Sequence, residues 1–273
     1  RCPCRPDRRP PAGAGFSLPA VLIDTHCHLD AAEFDTDRDA VHSAALAGGV
    51  ARIVVPAVAV DSFQKAKTVV GRYPGCVAAY GIHPMYVMQS RESDLAELRG
   101  WLAREQPVAV GEIGLDGYVA DVDPARQEFF FVEQLKLARE FDLPVLLHVR
   151  RAVDQILKHL RRIRVRGGVA HAFNGSRQQA DEFIKLGFKL GFGGAMTFCG
   201  STRIRALAAE LPLDAIVLET DAPDIPPAWL SCGRNAPGEL PRIADVLAEL
   251  RGITSADVAA ASCAAARAVL PGI

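Results

Sequence analysis

Val21-Leu22-Ile23-Asp24-Thr25-His26-Cys27-His28 is a short apolar run that turns polar at its end. The same phrase recurs along the chain, with apolar runs at Arg52–Ala57, Val77–Gly81, Val108–Gly111, Val145–Leu147, Gly168–Ala170, Phe188–Gly191 and Ala215–Leu218. Near-continuous apolar segments of this kind suit parallel strands covered on both faces. Their starts lie roughly 20–36 residues apart, the size of a strand plus a crossover helix. Eight such units in roughly 250 residues fit a (β/α)8 TIM barrel. The other arrangement is an open doubly wound sheet, whose dinucleotide-binding version needs a G-x-G-x-x-G turn after strand one. Here that turn reads Asp24-Thr25-His26-Cys27-His28, which selects the barrel.

The segments between the runs read as helices. Asp37–Ala47, Ser62–Arg72, Ser93–Arg104 and Pro124–Phe141 carry apolar residues at helical spacing, and Glu239–Arg251 and Ser255–Val269 close the chain. Phe130, Gln134, Leu137 and Phe141 mark one side of the fourth helix, and Arg126, Glu133, Lys136 and Glu140 mostly another. Asp123-Pro124 opens it with a capping carboxylate followed by proline in the first turn. Ser255 is expected to cap the last helix.

Residues 1–18 read differently. Arg1, Arg5, Arg8 and Arg9 stand among prolines with no periodic apolar face, so this stretch is expected to be a disordered extension before a single barrel domain over 19–273. The whole chain has 31 Lys+Arg against 32 Asp+Glu, a formal charge of −1. That balance excludes a globally basic protein that coats nucleic acid. The apolar stretches are too short for a membrane helix, which needs about 20 residues. Seven scattered cysteines lack the spacing of a disulfide framework, and a reducing cytoplasm is the expected setting. A monomer is expected.

The polar residues carry the chemistry. His26 and His28 follow strand one, His83 strand three, Glu112 strand four, His148 strand five, His171 strand six and Asp221 strand eight. In a barrel these carboxyl ends converge on one face, where active sites lie. Only His42 and His159, of the seven histidines, fall in expected helices. Residues i and i+2 of an extended segment project to one side, so His26 and His28 can share an ion. Such a pair alone could equally be structural. Six buried polar groups on one rim would, however, be costly without a partner. Glu112 has two carboxylate oxygens and can bridge two cations, His148 and His171 suit a second ion, and Asp221 can ligate the first and take a proton from its water. Two divalent ions, Mg, Mn or Zn, would make hydroxide near neutral pH. His83 is a candidate to bind phosphate or donate a proton, Arg150 to hold an anion, and Glu219 to orient a ligand or contact substrate. Asn174-Gly175-Ser176 reads as a helix cap, and Asp24 and Asp116 as caps or supports for ligands.

Ile23-Asp24-Thr25-His26-Cys27-His28-Leu29-Asp30, Gly81-Ile82-His83-Pro84, Val110-Gly111-Glu112-Ile113-Gly114-Leu115-Asp116, Leu147-His148-Val149-Arg150-Arg151, His171-Ala172-Phe173-Asn174-Gly175-Ser176 and Leu218-Glu219-Thr220-Asp221-Ala222-Pro223 together resemble the TatD family of metal-dependent hydrolases, in its YjjV-like branch. The resemblance covers residues 21 to about 270. It implies an amidohydrolase-type barrel, with His26, His28, Glu112 and Asp221 around one ion and Glu112, His148 and His171 around another. It also implies deoxyribonuclease activity, a 3′–5′ exonuclease on single-stranded DNA ends. Related phosphotriesterase-type barrels bridge their metals with a modified lysine after strand four; here Glu112 takes that place. The long extension before strand one, and Val149 and Ala172, depart from the family pattern without touching a ligand. Hydrolysis of a small amide, ester or lactone uses the same metals, and a metal-binding scaffold without turnover is the non-enzymatic alternative.

Overall fold

The computed structural model describes residues 21–273; the expected extension over 1–18 lies outside the described residues. Eight parallel strands run in chain order: β1 (Leu22–Asp24), β2 (Val50–Pro56), β3 (Cys76–Tyr80), β4 (Ala109–Asp116), β5 (Val145–Arg150), β6 (Gly168–Ala170), β7 (Phe188–Phe192) and β8 (Ile216–Leu218). The sheet curls into a nearly closed TIM barrel. The seam between β8 and β1 is stitched where the N–H and hydroxyl of Thr25 both donate to the Leu218 carbonyl at 3.1 Å.

Nine helices of the described residues surround it: α1 (Arg38–Ala47), α2 (Val60–Arg72), α3 (Ser93–Glu105), α4 (Pro124–Glu140), α5 (Val153–Arg162), α6 (Arg177–Lys185), α7 (Thr202–Glu210), α8 (Leu240–Arg251) and α9 (Ser255–Val269). None is long and apolar enough to cross a membrane. Two apolar layers divide the work. The larger lies between strands and helices. The smaller gathers Ile23, Val54, Ala79, Ala109, Leu146, Val169 and Val217 inside the barrel and packs them on Cys263, Ala266 and Val269 of α9. This interior is a packed floor, and the polar side chains of the site stand above it at the carboxyl ends of the strands.

Three expectations change. The apolar runs of strands four and five stop at Gly111 and Leu147, yet β4 continues to Asp116 and β5 to Arg150, so Glu112 and His148 lie within their strands. The register against β5 shifts between Val110 and Ile113, with one extra residue on β4. A bulge re-aims its residues, and the Glu112 N–H leaves the ladder to donate to the Ala57 carbonyl at 3.1 Å. The cap of α9 is Thr254 rather than Ser255. Its hydroxyl accepts from the Asp257 N–H while the Asp257 carboxylate accepts from Thr254 N–H, a reciprocal pair. Ser255 instead donates to Asp245. Asp123 and Ser176 cap α4 and α6 through their side chains.

Candidate metal centre

The carboxylate of Glu112 is the hub of the carboxyl-end face. It is 2% exposed, and its two oxygens face different imidazoles. Oε2 lies 3.1 Å from Nε2 of His26 and 3.5 Å from Nε2 of His28. Oε1 lies 3.1 Å from Nδ1 of His148, 3.3 Å from Nε2 of His171 and 3.4 Å from Nε2 of His83. Asp221 Oδ1 closes the first group at 3.6 Å from both His26 and His28. The expected residues therefore meet in one place.

Two rings, those of His28 and His148, are held from behind, which sets the nitrogen each presents. Nδ1–H of His28 donates to the Pro56 carbonyl at 3.1 Å, leaving Nε2 to face Glu112. Nε2–H of His148 donates to Asp116 Oδ2 at 2.9 Å, leaving Nδ1. This hydrogen-bonded support behind an imidazole orients it and raises its basicity. His171 stacks on His26 at a centroid distance of 4.0 Å and turns Nδ1 toward Glu219 Oε1, 3.5 Å away. His83 differs. Its Nδ1 accepts from the Met85 N–H at 3.2 Å, so a neutral ring carries its proton on Nε2, aimed at Glu112. It is a donor to the site.

The donor set fits divalent cations. Nε2 atoms of His26 and His28 are 3.3 Å apart, and two imidazole lone pairs do not attract unless a proton or cation lies between them. His26 with Glu112 and His171, and His26 with His28 and Asp221, bring ligand atoms within 4.8 Å of one another. The electrostatics agree. Burial favours neutral side chains, yet the imidazoles around Glu112 outweigh it and hold that carboxyl well below its usual range. Burial also opposes charge on His28 and His171, but the Glu112 and Asp221 carboxylates raise them to about 9 and about 10. His26, sealed and stacked on His171, is pushed down to about 3.

The remaining expected residues are placed as follows. Asp116 does two jobs: besides His148 it accepts from the N–H groups of Tyr118 and Val119 at 2.8 and 3.1 Å. Asp24 is buried and ties β1 to β8 by accepting from Thr220 N–H and Oγ1 and from His26 N–H; burial still lifts it to about 7. Arg150 stands half exposed at the rim, 3.9 Å from Asp116. Glu219 does not reach the mouth. It is 1% exposed, accepts from Ala172 N–H at 2.5 Å and lies against Gly191, where a Cβ would come within 2.1 Å of its Oε2. It supports His171, which corrects the substrate contact expected of it. His42 and His159 lie in α1 and α5 and bond the Pro74 carbonyl and Glu128.

Three supporting side chains have no counterpart in the sequence reading as site residues. Gln134 accepts from Ile82 N–H at 2.6 Å and donates to its carbonyl at 3.0 Å, setting the strand end before His83. Gln127 does the same at Asp116. Asn235, fully buried, donates to the Thr220, Asp224 and Ile225 carbonyls and so clasps the Asp221 loop. A polar Gln134 on an otherwise apolar helix side was the one available signal.

Residues 23–271 match the family described as TatD related DNase. The chain belongs to the TatD family. The metal-dependent hydrolase YjjV of Escherichia coli K12, described as uncharacterized, is 41% identical over 88% of this chain and 94% of its own. A protein of Cronobacter sakazakii named 3′-5′ ssDNA/RNA exonuclease TatD is 36% identical over 85% of this chain and 90% of its own. The crystal structure of E. coli YjjV, a TatD homologue, superposes with a TM-score of 0.89 at 38% identity, covering 93% of this chain and 99% of that one. The family makes this chain a metal-dependent hydrolase on a TIM barrel.

Proposed function

We propose that this hydrolase cuts phosphodiester bonds at the ends of single-stranded DNA, in the 3′–5′ direction, as a cytoplasmic monomer. The observation that carries the reading is the split Glu112 carboxylate, with an imidazole group at each oxygen and two further donors, His83 and Arg150, beside them. His26, His28, Asp221 and Glu112 Oε2 would hold one ion; Glu112 Oε1, His148 and His171 would hold the other. Mg, Mn or Zn ions held there would polarise a substrate oxygen and lower the pKa of a water toward neutral pH. Asp221, less enclosed than Glu112, takes the proton of the attacking water. Nε2–H of His83 donates to a phosphoryl oxygen, and Arg150 holds the charge of the strand at the rim. Glu219 keeps His171 in register. The exonuclease named in Cronobacter supports the choice of substrate.

The test is a 5′-labelled single-stranded oligonucleotide incubated with purified protein and Mg, Mn or Zn. Stepwise shortening from the 3′ end, stopped by EDTA and by Glu112→Ala, is expected. Metal-loaded protein that cuts amides or lactones but no DNA or RNA would overturn the proposal.

A further inference from the structure

Two arginines meet one tyrosine at the mouth of the barrel. Arg150 ends β5 and Arg151 follows it. Neighbours on a strand point to opposite faces, but Arg151 has a φ of 52°, a left-handed conformation that interrupts the alternation. Both guanidinium carbons consequently lie over the ring of Tyr118, at 3.9 and 4.6 Å from its centroid. The tyrosine is brought there by a close backbone approach. Gly117 N–H donates to the Arg150 carbonyl at 2.8 Å, and a Cβ on Gly117 would lie 2.8 Å from the Arg151 carbonyl oxygen. Asp116 joins this loop to the metal centre, holding Tyr118 N–H on one oxygen and His148 on the other.

The charge in the cluster is only partly balanced. The carboxylate nearest Arg150, Asp116 at 3.9 Å, is already engaged by His148 and two amides. Among the described residues no carboxylate lies within 4.0 Å of the Arg151 guanidinium. Asp154, which lines the same hollow, accepts from Gln179 instead. Tyr118 is 52% exposed, so the pair opens to solvent beside the metal site. Two guanidinium groups fixed by an aromatic face, with only the already engaged Asp116 near one of them, are preorganised for a doubly hydrogen-bonded oxyanion.

We infer that Tyr118, Arg150 and Arg151 form a subsite for a phosphate of the strand other than the one being cut. The inference rests on the phosphodiester reading above and narrows it: the preferred substrate carries consecutive phosphates, and a single isolated diester is a poor one. Arg150 and Arg151 bind the anion; Tyr118 positions them.

The test compares two trithymidylates, one with native linkages and one in which the linkage that is not cut is a neutral methylphosphonate. The wild-type protein should favour the charged substrate about tenfold in kcat/KM, mainly through KM, which is the worth of one charge-assisted contact. Arg151→Gln and Tyr118→Leu should each bring that preference close to unity, with thermal melting confirming that both variants fold. Equal cleavage of the two substrates by wild type, or a preference that survives both substitutions, overturns the inference. If wild type cuts neither, the phosphodiester reading has failed, and binding decides the subsite by itself. Fluorescence anisotropy of a labelled single-stranded decathymidylate across a salt series should then lose about 0.7 from the slope of log K against log salt in Arg151→Gln; an unchanged slope overturns it.

Discussion

Replacing Asn235 tests how far one buried side chain holds Asp221 in place. Its Nδ2 donates to the carbonyls of Thr220 and Asp224 at 2.8 Å and of Ile225 at 3.2 Å, and the residue has no exposed surface. Asn235→Ala leaves those carbonyls without a donor. The Thr220 bond is buried and the other two are partly so; at about 1–3 kcal/mol for a buried group left unpaired, the loss is about 1–3 kcal/mol. A chain of this size then melts about 2–12 °C lower. Asn235→Asp is nearly isosteric but points a carboxylate at three carbonyl oxygens. Its acid is raised in the folded state above the usual value of about 4. The added penalty is absent below that value and grows as pH rises through it, because only the protonated acid supplies a donor. At neutral pH the aspartate variant should therefore be less stable than the alanine one, and the order should narrow or reverse on acidification. Thermal melting across pH measures both. Asp221, whose backbone has a φ of 58°, should also loosen, weakening divalent-ion binding about tenfold. An Asn235→Ala protein that melts within about 1 °C of wild type, or an aspartate variant as stable as wild type at neutral pH, would refute the reasoning.

Gly191→Ala drives a methyl group to 2.1 Å from Glu219 Oε2; overpacking of this kind costs about 1–3 kcal/mol, and loss of His171 support should appear in calorimetry as weaker metal binding. Asp116→Asn keeps an acceptor for His148 but removes its charge, so metal affinity measured by competition with a chelating dye should fall about 10–100-fold. Metal affinity should rise with pH: His28 and His171 sit at about 9 and about 10 when metal-free, so below those values an ion must displace their protons. The gain is up to about tenfold per pH unit for each proton released. Calorimetry in buffers of different ionisation enthalpy counts those protons, and binding that releases none would contradict the site electrostatics.

The barrel was legible because β-branched runs recur at strand-plus-helix intervals, and because polar residues end those runs. The polar cluster that could hold metal was legible for the same reason: His26, His28, His148, His171 and Asp221 each stand at or near a strand end, a placement that chain order alone reveals. Glu112 was found but misplaced, since glycines at 111 and 114 cut the apolar run and hide a strand that continues through a bulge. Glu219 stayed open between orienting a ligand and touching substrate because alternation along a strand gives the side but not the depth; the missing side chain at Gly191 shows that its carboxylate is sunk beside β7. Asn235 and Gln127 were invisible as site residues, and Gln134 showed only as a polar residue on an apolar helix side, because their partners are backbone groups 10–52 residues away. The arginine pair at 150 and 151 reads as a surface charge run until the left-handed turn brings both onto Tyr118.

The near-neutral charge of the chain is compatible with handling phosphate, because bound ions supply local positive charge that a count of side chains does not include. Metal content per chain probes this idea most directly. Protein equilibrated with excess Mn and then freed of unbound ion should hold two ions by elemental analysis, His148→Ala one, and Glu112→Ala neither at full occupancy, since each Glu112 oxygen faces its own imidazoles. A wild-type protein that binds no divalent ion, or a Glu112→Ala variant that keeps both, would contradict it.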